Sequence, residues 1–392
     1  MKIYHKVPLV LAIPFLLSSC GSERRIANPE ASFSPPVGGL WDPTTYQRSV
    51  LYCAKVYGDK IDWEDADWLA GHVDAIILGS PHGDRVVGYL KSLNPDLYTF
   101  RHFHLLGLHE NDQAGGAVVG YEFVNEYFPE WFLLDALSQR FTMPKNGKLW
   151  AMDVGQIGWR AYWTNQVLSR ISPYDYDGLL GDFATIDVRS YWAPNGLLNY
   201  NDSTWHIVNE AYLDTIHQRL NFNGLMFVAN TTEPNSVLDN DYIVNTRVHS
   251  VDGSNWQGFA MRVKGNPEKP YVPQNQLIKS WEIVETHAQL GKVFIAGAQP
   301  QPDPAQMSYC VGCYLMCKCS DQIFFNVDWL SDMDLLKMIF DLYGDILNYD
   351  YGQPIGDRYF EAGYWKREFT KGTAILDLQL HLFTFQPKGN EP

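Results

Sequence analysis

Carboxylates, amides and aromatic rings recur in this chain just after short apolar runs, a placement that delivers reactive groups from buried strands to one shared rim. Asp182 stands out. It ends the run Asp177-Gly178-Leu179-Leu180-Gly181-Asp182, so an apolar, glycine-flanked strand carries its carboxylate straight to the rim. A capping or loop aspartate is the plain alternative, and Asp177, at the entry end of the same run, reads as structural. Other run ends offer Lys55 and Tyr57, then Pro81, His82 and Asp84, then Arg101, His102 and His104. Further along come Asp187, Asn230 and Glu233, Gln257 and Arg262, Gln299 and Asp328, with Trp192, Trp256 and Trp329 in the same loops. Acceptors, donors and ring faces on one rim suit a sugar, whose hydroxyls need hydrogen bonds while its C–H faces stack; phosphate would call for more Lys and Arg. His102 and His104 alternate along one run, so one of the two is expected at the rim, and a lone strand histidine is ordinarily a hydrogen-bonded packing residue. No HExxH or similar spacing assigns a metal.

Eight apolar runs must position these groups: residues 49–54, 74–79, 97–103, 177–183, 224–230, 254–260, 292–298 and 322–328. Helical periods lie between several of them. In HIVNEAYLDTIHQRL, Val208, Ala211, Tyr212, Thr215, Ile216 and Leu220 share a side. WEIVETHAQLGK ends in a glycine suited to a helix C-terminus, and DLLKMIFDLYGDIL is similar. Strands alternating with helices imply parallel pairing through crossovers, and eight such units predict an α/β fold, a (β/α)8 barrel. The absence of GxGxxG after the first strand and of GxxxxGK[ST] leaves no motif for a nucleotide, and no cofactor is implied. The stretch Leu105–Lys148 is expected to be an elaborated loop after the third strand. After residue 350 an alternating stretch predicts a terminal β-hairpin packed on the barrel. The expected organisation is a leader over 1–20, a tether over 21–40, the barrel over 41–350 and a C-terminal β extension over 351–392.

Thirty Lys plus Arg against 45 Asp plus Glu give a net charge of −15, which argues against a nucleic-acid partner. With 46% apolar residues, the chain is neither disordered nor a coiled coil. Lys2 and Lys6 precede the run VPLVLAIPFLL, and Ser18 and Ser19 precede Cys20, the plan of a secretory signal. Leu17-Ser18-Ser19-Cys20 also resembles a bacterial lipobox, with ordinary cleavage or an uncleaved anchor as alternatives. Cys20 is then the lipidated residue, and Gly21 lacks the aspartate that retains many Gram-negative lipoproteins at the inner membrane, which points to the outer membrane. Two or more acyl chains anchor firmly where one is marginal. The group Cys310-x2-Cys313-x3-Cys317-x-Cys319 lies in an apolar stretch with helical spacing. Buried thiols, a disulfide among them or with Cys53, and a metal site all stay open, with buried thiols the simplest.

Several stretches, in order, resemble the TIM-barrel glycosidases grouped as hypothetical glycosyl hydrolase family fifteen: PEWFLLDALSQRF, KLWAMDVGQIGWRAYWTNQVLSRI, DYDGLLGDF, GLMFVANTT, VDGSNWQGF and YGQPIGDRYFEAGYWKREFTKGTAIL. The resemblance covers about residues 41 to 378 and implies that Asp182 is the fourth-strand catalytic carboxylate. It also exposes a departure. After Asp252-Gly253 a glutamate is expected near the strand end, and this chain has Gln257, whose amide cannot deliver an acidic proton. Glu233 is the first choice for the missing acid and Asp187 the next; otherwise hydrolysis has been lost. Substrate contacts are expected from Arg101, His102, Asp153, Trp192, Asn230, Trp256, Gln257 and Asp328. A lipid-anchored, exported glycoside hydrolase of poly- or oligosaccharides is thus the expectation, against a catalytically inactive glycan-binding barrel or, more remotely, a structural envelope lipoprotein. Its partners would be a carbohydrate and, through the lipid, a membrane.

Overall fold

The computed structural model describes residues 49–57, 61–79, 83–110, 120–143, 146–182, 184, 193, 195–232, 249–262, 267–328 and 332–389. Cys20, the leader and the tether lie outside them. Each expected barrel strand forms: β1 (Cys53–Val56), β2 (Ala75–Leu78) and β3 (Tyr98–His104), then, after an excursion containing β4 (Gly107–His109), β5 (Thr142–Met143) and β6 (Asn146–Ala151), β7 (Gly178–Asp182), β8 (Met226–Thr232), β9 (Gly253–Arg262), β10 (Val293–Gln299) and β11 (Ile323–Val327). The eight order as β1-β2-β3-β7-β8-β9-β10-β11, all in parallel pairs. The edge strands meet: Tyr52 bridges Phe325, the Phe325 N–H donates to the Leu51 carbonyl at 2.7 Å, and Asn326 Nδ2 donates to the Cys53 carbonyl at 2.6 Å.

Strands covered on both faces need apolar residues at every position, which is why these runs are continuous rather than alternating. Leu51, Cys53, Ala75, Ile77, Phe100, Leu180, Val228, Ile295 and Phe324 fill the barrel. Their strand neighbours, such as Ile76, Leu179, Phe227, Trp256, Phe294 and Phe325, pack outward. The described helices are α1 (Trp63–His72), α2 (Val87–Leu93), α3 (Tyr121–Tyr127), α4 (Ile157–Ile171), α5 (Asp202–Phe222), α6 (Gln274–Gln289), α7 (Pro304–Cys317) and α8 (Met333–Leu347). Their starts are fixed locally. Asn201 and Thr204 form a capping box on α5, and Asp303 accepts from the Ala305 and Gln306 N–H groups ahead of Pro304 on α7. Gly291, at φ 66°, ends α6 as its position predicts.

Two expectations need correction. The first strand begins at Cys53 rather than Ser49, because the backbone before it is taken by side chains. Lys318 Nζ donates to the Ser49 carbonyl at 2.6 Å, the Tyr52 N–H donates to Asp74 Oδ2 at 2.8 Å, and the Leu51 N–H donates to the Tyr314 hydroxyl at 3.3 Å. The terminal hairpin is a four-stranded antiparallel sheet of β12 (Tyr359–Glu361), β13 (Tyr364–Phe369), β14 (Gly372–Asp377) and β15 (Leu382–Pro387). It gains its first strand through a two-residue turn with positive φ at Ala362 and Gly363. The sheet is fastened to α7: Arg367 donates to the carbonyls of Leu315, Met316 and Lys318, groups a helix C-terminus leaves open, and the Phe383 ring lies where a Cβ on Gly312 would be.

Candidate active site

Side chains two apart on a strand share a face. Phe100 points into the barrel, so His102 and His104 must do so as well, and both approach Asp182. The expectation that alternate histidines would split between faces is therefore corrected by the strand's period of two. The same parity turns Lys55 and Tyr57 inward from β1, Asp182 from β7, Asn230 from β8, Gln257 from β9, Gly297 and Gln299 from β10 and Asn326 with the following Asp328 from β11.

Asp182 is held by side chains on both sides. Asn230 Nδ2 donates to Oδ1 at 2.9 Å, and His102 Nε2 stands 3.3 Å from Oδ2, with His104 Nδ1 at 3.9 Å from the same oxygen. Burial alone would raise this carboxyl, but the hydrogen bond and charge of His102, the charge of His104 and the Asn230 amide outweigh it and hold it far below the usual carboxylate range. His104 is driven down to about 3, first by burial and then by the charge of His102, so it is neutral at pH 7. The Tyr57 ring packs on His102 with centroids 4.7 Å apart. Burial first, then the nearby Asp182 and Asp328, push its phenol well above its ordinary value, so it stays a neutral donor. Gly79 makes room for that ring, since a Cβ there would overlap it.

Asp328, just after β11, is a second carboxylate turned toward the barrel rim. It pairs with the buried Lys55 ammonium and accepts from Gln299 Nε2 at 3.0 Å. Gly297 lets it approach, because a Cβ there would sit 3.3 Å from the Asp328 Cβ and 2.8 Å from the Trp256 carbonyl. Gln257, half-buried, stands opposite Gly297 in the register. Together these give an ionised carboxylate able to attack or to take a proton, bordered by the His102 and His104 imidazoles, the Tyr57 phenol and amide groups.

The structure brings His102, Asn230 and Asp182 together, with Asp328 and Gln257 on the same rim. It sets three expected contacts apart. Arg101 faces outward, buried, with Nε 2.9 Å from Asp84 Oδ1 and NH1 donating to the Leu78 carbonyl at 3.0 Å. Trp256 is 0% exposed and packs with Phe294 under the helices, leaving no ring face for a sugar. Asp153 is buried in its own turn, accepting from the Tyr200 hydroxyl at 2.7 Å, the Gly155 N–H at 2.8 Å and Gln156 Nε2 at 3.2 Å. Strand parity would have separated Arg101 from His102 and Trp256 from Gln257. Glu233, Asp187, Trp192, His82 and Trp329 lie outside the described residues. Cys310, Cys313 and Cys317 are buried free thiols, as is Cys53, while burial lifts the half-buried Cys319 to about 11.

The family model described as hypothetical glycosyl hydrolase family 15 matches residues 95–373, from the start of β3 into β14. Among solved structures, the chain is similar to the glycoside hydrolase domain of PelA from Pseudomonas aeruginosa, at 14% identity and a TM-score of 0.47, over 73% of this chain and 99% of that one. It is also similar to the noncanonic maltogenic alpha-amylase AmyB from Thermotoga neapolitana, at 11% identity and a TM-score of 0.48, over 83% of this chain and 84% of that one. Comparison with curated proteins gives no match.

Proposed function

The chain belongs to hypothetical glycosyl hydrolase family 15, and from that premise we propose that it is a lipid-anchored glycoside hydrolase acting outside the cytoplasm on a poly- or oligosaccharide. The observation that carries the reading is Asp182: a carboxylate at the end of the fourth barrel strand, kept ionised and aimed by Asn230 and His102. Such a group serves as nucleophile at the anomeric carbon or as base toward water, and it cannot be the acid. The proton for the departing glycosidic oxygen comes from Glu233, which directly follows the last residue of β8 in the sequence, with Asp187 as the substitute. Tyr57, His104 and Gln257 bind hydroxyls, and Trp192 offers the stacking face. Lipid on Cys20 holds the protein at the envelope, in the outer membrane if the cell is Gram-negative.

Reducing-end release from a panel of polysaccharides tests this reading. Asp182→Asn should abolish release. Glu233→Ala should lose natural glycans yet keep activated aryl glycosides, whose leaving groups need no proton. In a detergent-phase partition the full chain should follow the detergent and Cys20→Ala the water.

A second reading draws on Gln257 and on the commitment of Asp328 to Lys55, which leave Asp182 without a second available carboxylate among the described strand ends. On that reading the barrel binds glycan without cleaving it. Retention in affinity electrophoresis with no release, unchanged by Asp182→Asn, would select it.

A further inference from the structure

Three side chains at the rim converge on one point in a way that also suits a metal ion. β3 projects His102 and His104 from alternate positions, and β7 sets Asp182 level with His104 in the register. His102 Nε2 and His104 Nδ1 lie 3.3 and 3.9 Å from one oxygen, Asp182 Oδ2, and the three atoms lie within 4.8 Å of one another. An ion with bonds of about 2.0–2.2 Å spaces the ligands of a tetrahedron roughly 3.3–3.6 Å apart. One edge already has that length, the second is within half an ångström, and the third is within 4.8 Å.

We propose that His102 Nε2, His104 Nδ1 and Asp182 Oδ2 form a site for a divalent cation of the zinc class. Two imidazoles and one carboxylate favour zinc and its transition-metal neighbours over calcium or magnesium, which take oxygen ligands. The surrounding groups orient the set. Asn230 holds Asp182 Oδ1 at 2.9 Å, which fixes Oδ2 toward the histidines, and Tyr57 packs on the His102 ring. An ion can reach the site, because the Asp182 and His104 side chains keep 17% and 19% of their surface exposed. The cation replaces the direct contact between His102 Nε2 and Asp182 Oδ2, and a bound ion withdraws Asp182 from reaction with a sugar.

This site stands without the hydrolase reading, since its test is binding rather than turnover. The full chain, purified in detergent and stripped with chelator, is titrated with Zn²⁺ by calorimetry and with Co²⁺ by visible absorption. Expected are one ion per chain and Co²⁺ d–d bands without thiolate charge transfer. Affinity should fall about 100-fold or more in His104→Ala and about 10-fold in Asn230→Ala. Circular dichroism checks folding, and His104→Gln replaces any variant that misfolds. No saturable uptake, equal affinity in the His104 variants, or a thiolate band placing the ion on cysteine would each overturn the site.

Discussion

The two ends of the barrel use the same residue in opposite ways. At the entry end, Asp74, Asp177 and Asp252 each precede a strand and reach back to backbone. Asp74 accepts from the Tyr52 N–H at 2.8 Å, Asp177 from the Thr99 N–H at 2.7 Å and Asp252 from the Phe227 N–H at 2.8 Å. At the rim, Asp182 and Asp328 are held by side chains: Asn230 and His102 for one, Lys55 and Gln299 for the other. Exposure does not separate the ends, since the Asp177 side chain is 28% exposed and that of Asp182 only 17%. Partner type does. A carboxylate bound to a strand's N–H cannot exchange partners without disturbing the sheet, whereas one held by side chains can accept a proton, a carbon centre or an ion.

The comparison is broken most forcefully at Asp328. Asp328→Asn leaves the Lys55 ammonium buried without its counter-charge, and the fold should lose about 3–5 kcal/mol in urea unfolding. That would mark Asp328 as a rim residue committed to structure. Next, Asp177→Ala and Asp252→Ala each strip an acceptor from the N–H of a strand's second residue and should cost about 1–3 kcal/mol each.

A smaller effect appears against pH. His287 donates from Nδ1 to the Ile283 carbonyl and accepts at Nε2 from the Ser254 hydroxyl, both at 2.8 Å, so it is held neutral. Burial drives it down to about 4. Its folded value lies below the unfolded value of about 6.5, so the unfolded chain binds the extra proton. Stability is therefore full above about pH 6.5 and falls toward about pH 4 by at most ~1.4 kcal/mol per unit. His287→Gln should flatten that slope in denaturant melts across the window. The smallest effect is at Asn230. Asn230→Ala should slow turnover about fivefold, the equivalent of about 1 kcal/mol. It should also move the acid limb of the pH–rate profile upward, because one group that lowers the Asp182 carboxyl is gone. An unmoved acid limb would detach Asn230 from Asp182.

Much of the barrel was legible because a strand buried on both faces leaves an unbroken apolar run, and eight such runs carry their own topology. Asp182 was legible from the glycine-flanked run that delivers it. Strand parity also decides which side chains share a face. Positions 102 and 104 must agree in direction, while 101 and 256 must oppose their neighbours at 102 and 257. Other features depend on partners far along the chain. Lys55 meets Asp328 across 273 positions, and Ser49 donates to the Gly352 carbonyl across 303. Nothing local in either segment signals those pairings, so the committed state of Asp328 and the late start of β1 stayed hidden. The three-stranded sheet β4-β6-β5 inside the excursion was equally obscure, since its strands are as short as two residues.

The most direct measurement sets Asp182→Asn beside Asp177→Ala, reading reducing-end release and melting temperature on the same preparations. The predicted result is a crossed pair: Asp182→Asn folds like the parent and loses release by about 10²–10⁴-fold, while Asp177→Ala melts earlier and, where folded, still cleaves. Release that survives in Asp182→Asn would contradict the assignment of the rim aspartate as the reacting group.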